Sequence, residues 1–238
     1  MFILGIETTG ANCSVALLDS KGNITEISSK EVLNHLQTLT PMIEELLTKC
    51  KLQLGDIDAI ATSVGPGSFT GIRIGVSTAR ALSQATGIKL VAVSTLLAFG
   101  CSECEEHGLI CPVFDARRNQ VYAGAYKDHE EMIAGGPYML DEFLDKLEEE
   151  NDIYFVGDGL KVYEEKIIQW AAEKNKKITT ELKFQTAGGV VEMARNMLGS
   201  PEEFRGEINL GYNELEPNYM RLPEAERKMK EKNEKNRC

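Results

Sequence analysis

Three strand-like runs open the chain, Phe2–Glu7, Cys13–Leu18 and Ile24–Ser28, separated by the short turns Thr8-Thr9-Gly10-Ala11-Asn12 and Asp19-Ser20-Lys21-Gly22-Asn23. Turns this short join antiparallel neighbours, so the chain begins as a meander. The period then changes. Leu39, Met42, Ile43, Leu46, Leu47 and Cys50 recur at spacings that place them on one face of an amphipathic helix. Pro41 predicts that the regular helix starts near Thr40, with the proline in a first turn where its missing N–H costs nothing. Ile57–Val64 then reads as a buried strand, and a glycine-rich turn from Gly65 to Gly71 leads into a helix over Ile74–Thr86, closed by Gly87. Lys89–Val93 reads as a further strand, after which Ser94 caps a helix through Leu96, Leu97, Ala98 and Phe99.

A meander followed by alternating helix and strand predicts a mixed sheet with helices on its faces, the ribonuclease-H-like arrangement. The second half follows a similar order. Cys111–Asp115 and Gln120–Tyr126 form a strand pair, Ile153–Val156 is a strand, and helices are predicted at Leu140–Glu149, Lys161–Glu173 and Ala187–Leu198. No sequence repeat links the halves, so the relation rests on element order. The expected fold is α/β, with two ribonuclease-H-like lobes as in the actin/Hsp70/sugar-kinase (ASKHA) superfamily and a reduced second lobe. Residues 1–100 are assigned to the first lobe, completed by the segment 207–222, and residues 101–206 to the smaller second lobe. The charged stretch 224–238 is expected to be disordered.

Charge and cysteine usage narrow the functional classes. A net charge of −11 repels phosphate backbones, so no direct nucleic-acid binding is expected and any role in nucleic-acid chemistry runs through a partner. No apolar run approaches the roughly 20 residues that span a bilayer, and Met1-Phe2-Ile3-Leu4-Gly5 lacks the parts of a signal peptide. A cytoplasmic protein without membrane contact is expected. Six scattered cysteines point to reduced thiols. Cys101, Cys104, His107 and Cys111 place four soft ligands close together, but they fall at a helix end and a strand start, where buried cysteine without metal is common; no metal is expected.

The passage from Val64 to Leu82 carries the most information. A strand feeding a glycine and hydroxyl turn ahead of a helix offers free N–H groups to an anion or to another protein's backbone; the plainer reading is a tight turn. Gly65-Pro66-Gly67-Ser68-Phe69-Thr70-Gly71-Ile72-Arg73 resembles the Gly-Pro-Gly-Ser-Phe-Thr-Gly-Leu-Arg signature of the TsaB (YeaZ) family. That family is a paralogue of the TsaD subunit that makes threonylcarbamoyladenosine in tRNA. Gly5-Ile6-Glu7-Thr8-Thr9, Cys13-Ser14-Val15-Ala16-Leu17, Asp115-Ala116-Arg117-Arg118-Asn119-Gln120-Val121-Tyr122, Val156-Gly157-Asp158-Gly159 and Pro217-Asn218-Tyr219-Met220-Arg221 are also similar to family segments. Glu7 stands where the family more usually has aspartate. His35-Leu36-Gln37-Thr38-Leu39-Thr40-Pro41 lacks the Ser and Glu of the family's His-Ser-Glu-x-Leu-Leu-Pro.

The resemblance implies a non-catalytic subunit that pairs with TsaD, and with it TsaE, through a four-helix interface, and forms a homodimer through the same face when alone. The residues assigned to that interface are His35, Leu39, Met42, Ile43, Leu46, Leu47, Arg73, Val76, Ala79, Arg80 and Ser83; for about half of them, burial against the chain's own sheet is expected instead. Glu7, Thr8, Thr9, Gly65, Gly67, Ser68, Thr70 and Gly71 are read as an inherited nucleotide or anion loop. No cofactor is expected, ATP entering only at an interface with partners. The alternative is an enzyme, either a small-substrate kinase or a glycoprotease-like peptidase. His35, His107 and His129 are too far apart for a metal-binding pair on one helix, and no His-Glu-x-x-His motif is present.

Overall fold

The computed structural model describes residues 1–29, 35–102, 108–128, 130–204 and 206–220, apart from the side chains of 101 and 102. The first half contains β1 (Ile3–Glu7), β2 (Ser14–Leu18), β3 (Ile24–Ser28), α1 (His35–Cys50), β4 (Ala59–Gly65), α2 (Phe69–Thr86), β5 (Lys89–Ser94) and α3 (Thr95–Ser102). The second contains β6 (Leu109–Asp115), β7 (Gln120–Lys127), β8 (Glu130–Met139), α4 (Leu140–Lys146), β9 (Asp152–Val156), α5 (Leu160–Glu173), β10 (Lys177–Glu181) and α6 (Ala187–Gly199). The strands form two five-stranded sheets, ordered β3-β2-β1-β4-β5 and β10-β9-β6-β7-β8. In each, an antiparallel meander is extended by two parallel strands. The second half has shorter counterparts among its helices, α4 having 7 residues where α1 has 16.

Strand alternation sets the layers. Leu4 and Ile6 of β1 point to the face covered by α1 and α2, while Ile3 points to the opposite face, which α6 covers. Gly5 lets α6 approach: a β-carbon there would lie 2.5 Å from Val191 Cγ1 and 3.0 Å from the Ala187 carbonyl oxygen. Helix α3 packs against both α6 and the second sheet, so one continuous core of Val91, Leu96, Phe99, Phe114, Tyr126 and Val190 joins the lobes. The helices are therefore exchanged: α6 follows the second sheet in sequence yet covers the first, and α3 follows the first yet packs on the second. On the far side, α4 and α5 close the second lobe over Phe143, Phe155 and Ile167. The segment 206–220 returns along the first sheet, where Leu90 and Leu210 form a bridge and the Ala92 N–H donates to Glu207 O over 2.7 Å.

Several boundaries differ from expectation. Among the described residues helix α1 already runs from His35, ahead of the expected Thr40, and this turn is anchored: His35 is 4% exposed with Nε2 3.1 Å from the Gly10 carbonyl oxygen, and Leu39 is fully buried. Pro41 sits inside the helix on its exposed side. Helix α2 starts at Phe69, not Ile74. Ser68 caps it by accepting from the Gly71 N–H at 3.2 Å, so Gly71 and Gly75 lie within the helix despite their poor propensity. Helix α4 stops at Lys146 rather than Glu149. Strands β8 and β10, absent from the sequence reading, are edge strands with mixed or polar exposure. The stretch 224–238, Cys104 and His107 lie outside the described residues. Cys111 is buried in the second core, where burial pushes its thiol well above the ordinary range.

Candidate functional site

Glu7 ends β1 almost wholly buried, at 1% exposure. Its Oε1 accepts from the Thr9 N–H and the Thr9 hydroxyl, each at 2.5 Å, and its Oε2 accepts from the Ser63 hydroxyl on β4. Burial pushes the Glu7 carboxyl above its ordinary range, and the hydrogen bonds from Ser63, Thr9 and the Gly10 backbone hold part of that rise back. The turn after β1 is thus built around a satisfied carboxylate.

The glycine-rich loop folds onto this turn. Ser68 N–H donates to Thr9 O at 2.7 Å, and Thr8 Oγ1 donates to Gly71 O at 2.8 Å. A β-carbon on Gly67 would lie 2.6 Å from Thr9 O, one on Gly75 2.5 Å from Thr8 Oγ1, and one on Gly71 would overlap Thr8 O. From the other side, Asn218 N–H donates to Val64 O at 2.8 Å, and a β-carbon on Gly65 would lie 2.5 Å from Asn218 O. The glycines thus admit the chain's own backbone. Ser68 N–H and Gly71 N–H are paired within the chain, and Thr8 and Thr9 lie against the loop. Thr70 stands exposed on the first turn of α2.

Arg73 and Tyr219 fasten the returning segment. Arg73 Nε donates to the Tyr219 hydroxyl at 2.9 Å, its guanidinium lies 4.1 Å from the Phe69 ring centre, and the Phe69 and Tyr219 rings are 4.8 Å apart. The similarity of Pro217–Arg221 to family segments pointed to this segment, but nothing in its sequence places it against α2.

The assigned interface residues require correction. Leu39, Met42, Ile43, Leu46, Leu47, Val76 and Ala79 fill the core between the first sheet and helices α1 and α2. His35 and Ser83 are buried too, His35 against Gly10 and Ser83 by donating from Oγ to Ile88 O at 2.6 Å. Nine of the eleven thus face inward, because α1 and α2 each have one apolar stripe and the sheet needs it. Arg73 is exposed and Arg80 half-buried. The outward face of α1 carries Leu36, 77% exposed, with Pro41, Glu44, Glu45 and Thr48 along a shallow groove; that of α2 carries Thr70, Arg73, Ser77, Ala81 and Gln84.

In the second lobe, the stretch Asp115–Tyr122 forms the β6–β7 hairpin. Arg117, Arg118 and Asn119 take left-handed conformations in succession, at φ 64°, 57° and 60°. Asp115 Oδ1 accepts from the Arg117 N–H at 2.7 Å and the Tyr163 hydroxyl at 3.2 Å. Burial raises the nearby Asp158 carboxyl.

Two sheets of one strand order, joined by exchanged helices and meeting near a β1 turn and a glycine loop, define a two-lobed α/β protein of the ASKHA class. A family model described as "TsaD: tRNA N6-adenosine threonylcarbamoyltransferase" matches residues 24–229. The chain belongs to the TsaB family. It is 32% identical over 242 residues to the Bacillus subtilis "tRNA threonylcarbamoyladenosine biosynthesis protein TsaB", covering 96% of this chain and 97% of that one. The Escherichia coli protein of the same name is 36% identical over 141 residues, 57% of this chain and 59% of its own length. Among solved structures, the chain is similar to YeaZ from Pseudomonas aeruginosa, with TM-score 0.71, 25% identity, and 92% of this chain and 99% of that chain covered.

Proposed function

We propose that the chain serves threonylcarbamoyladenosine formation in tRNA as a subunit without chemistry of its own. It binds a TsaD-type sister of like fold, and through it a TsaE-type ATPase, while the sister transfers threonylcarbamoyl to adenosine. What carries the reading is the largely self-filled loop: Glu7, Thr8, Thr9, Ser68 and Gly71 hydrogen-bond to one another, and Thr8 and Thr9 occupy much of the space a phosphate would need. No cofactor is required of this chain, ATP entering only at an interface with partners.

The docking face in this proposal is the outer side of α1 and α2, not their inner stripe. Its charge is unevenly divided, with Glu44 and Glu45 outnumbering Lys49 on α1 and only Arg73 and Arg80 on α2. A like-folded partner turned about a two-fold axis sets acidic helix against basic helix, which suits both a sister subunit and a second copy of this chain. A stable contact of this kind buries more than about 1,000 Å². The net charge of −11 supports tRNA contact by the partner rather than by this chain, and a cytoplasmic location follows from the role.

The test is reconstitution of tRNA modification with TsaD- and TsaE-type subunits, with and without this chain. Product that depends on the chain, and loss of that dependence in a Leu36→Glu/Arg73→Glu variant, are expected. ATP turnover or peptide cleavage by the isolated chain would overturn the reading in favour of a kinase or peptidase.

A further inference from the structure

Where the lobes meet, the end of β1, the start of α3 and the approach to α6 enclose a cavity of about 10 Å³. Glu7, Thr95 and Gln185 line it together with Ala98, Phe99, Thr186 and Gly189. The first three are buried, at 1%, 1% and 5% exposure. Thr95 Oγ1 and Gln185 Oε1 have no hydrogen-bond partner among the described residues. Buried polar atoms are paired almost without exception, so two orphans on residues that line one small space mark a place built for a polar guest.

The geometry points to a single bound water as that guest: we propose that it bridges Glu7, Thr95 and Gln185 and pins the two lobe crossovers to β1. Size selects it, because the cavity accommodates about one water-sized sphere, too little for a divalent cation with its retained waters. Hydrogen-bond chemistry selects it as well. Glu7 and Gln185 Oε1 accept, while the Thr95 hydroxyl can donate; a water gives two hydrogen bonds and takes one, satisfying all three. Turning the Gln185 amide over presents a donor instead, and water accommodates that arrangement too. The pin is independent of what docks on α1 and α2. Its position matters because Thr95 opens the passage from the first sheet to the second and Gln185 closes the passage back, so one water ties together the three segments that set how the lobes sit.

A double-mutant cycle and a high-resolution crystal structure of the full chain test this. Thr95→Val and Gln185→Met each lower the folding equilibrium constant about tenfold, the usual cost of a buried partner lost. The double variant loses about the same tenfold, because both side chains pair through one molecule. A hundredfold, additive loss, or no loss from either change, would overturn the proposal. The crystal structure keeps the test decisive if a variant does not fold. Density within hydrogen-bond distance of all three side chains supports the pin. An empty cavity, or an anomalous peak there from crystals soaked in rubidium chloride, which would mark a monovalent cation site, refutes it.

Discussion

The Thr8 hydroxyl donates to the Gly71 carbonyl across 2.8 Å, while the Thr8 carbonyl occupies the space a β-carbon on Gly71 would need. The β1 turn and the first turn of α2 are in this way locked at backbone distance, and neither moves without the other.

Gly71→Ala should therefore destabilise the chain by about 3 kcal/mol, since backbone rather than a flexible side chain must give way. Gly87→Ala makes the control. Gly87 closes α2 at φ 78° with open space around it, and the change should cost only about 1 kcal/mol from left-handed strain. Urea denaturation of the two variants measures the difference.

Glu7 predicts an unusual pH response. Burial raises its folded-state value above that of the unfolded chain, so in the interval between the two the folded state binds the extra proton. Its contribution to stability is present below the ordinary glutamate range and declines as pH rises through the raised value. Glu7→Gln removes that dependence while keeping an acceptor for Thr9 and a partner for Ser63. The stability gap between wild type and variant should move in the variant's favour as pH rises from 4 towards 8. A gap that is flat with pH, or that moves the other way, would contradict the assignment.

Thiol reactivity should follow burial. Cys13 is buried, and burial together with the Glu7 charge pushes its thiol up to about 11; Cys111 is buried, and burial raises its thiol well above the ordinary range. Cys50, at the end of α1, is half-buried. Since the thiolate is the reactive form, iodoacetamide at pH 8 should label Cys50 in the native chain and reach Cys13 and Cys111 only on unfolding. Peptide mapping by mass spectrometry reads the order.

Charges placed on α1 separate fold from docking. Leu46→Glu puts an unpaired charge in the first core and should cost more than about 3 kcal/mol, which is severe for a single domain. Leu36→Glu on the outer face should change stability by less than about 0.5 kcal/mol while weakening partner binding. Circular dichroism melts and co-purification report the two effects separately.

The strap from Pro217 to Tyr219 is held by Arg73 and Phe69 at its Tyr219 ring and by Val64 at the Asn218 backbone. Tyr219→Ala removes a ring pair, a cation–π neighbour and a hydrogen bond, and should lower stability by about 1–2 kcal/mol. Limited proteolysis should then cut the chain after residue 210 more readily.

Much of this architecture is legible in the residues. The two periods, the meander and the glycine loop gave the element order of the first lobe and its mixed sheet, while the strand order and the meeting of the β1 turn with the loop emerge only in three dimensions. What stayed hidden depends on contacts distant in sequence. Pro41 looks like a helix start until His35 is seen anchored on Gly10, and Gly71 looks like a turn until Thr8 is seen lying against it. The stripe from Leu39 to Leu47 reads equally as core or as interface, because periodicity tells that a face is apolar and not what covers it. Strand β10 carries an edge pattern too polar to stand out, and Gln185 has no local signal at all for its place beside Gly10 and Glu7.

The exchange of α3 and α6 between sheets has a consequence for biosynthesis. As the polypeptide leaves the ribosome, the first five strands can pair early, but one side of that sheet stays bare until α6, ending at Gly199, has been made. Nascent chains of intermediate length carry an uncovered apolar surface, the kind that chaperones hold. Severing the gene between the halves would leave two fragments, each missing a helix the other encodes.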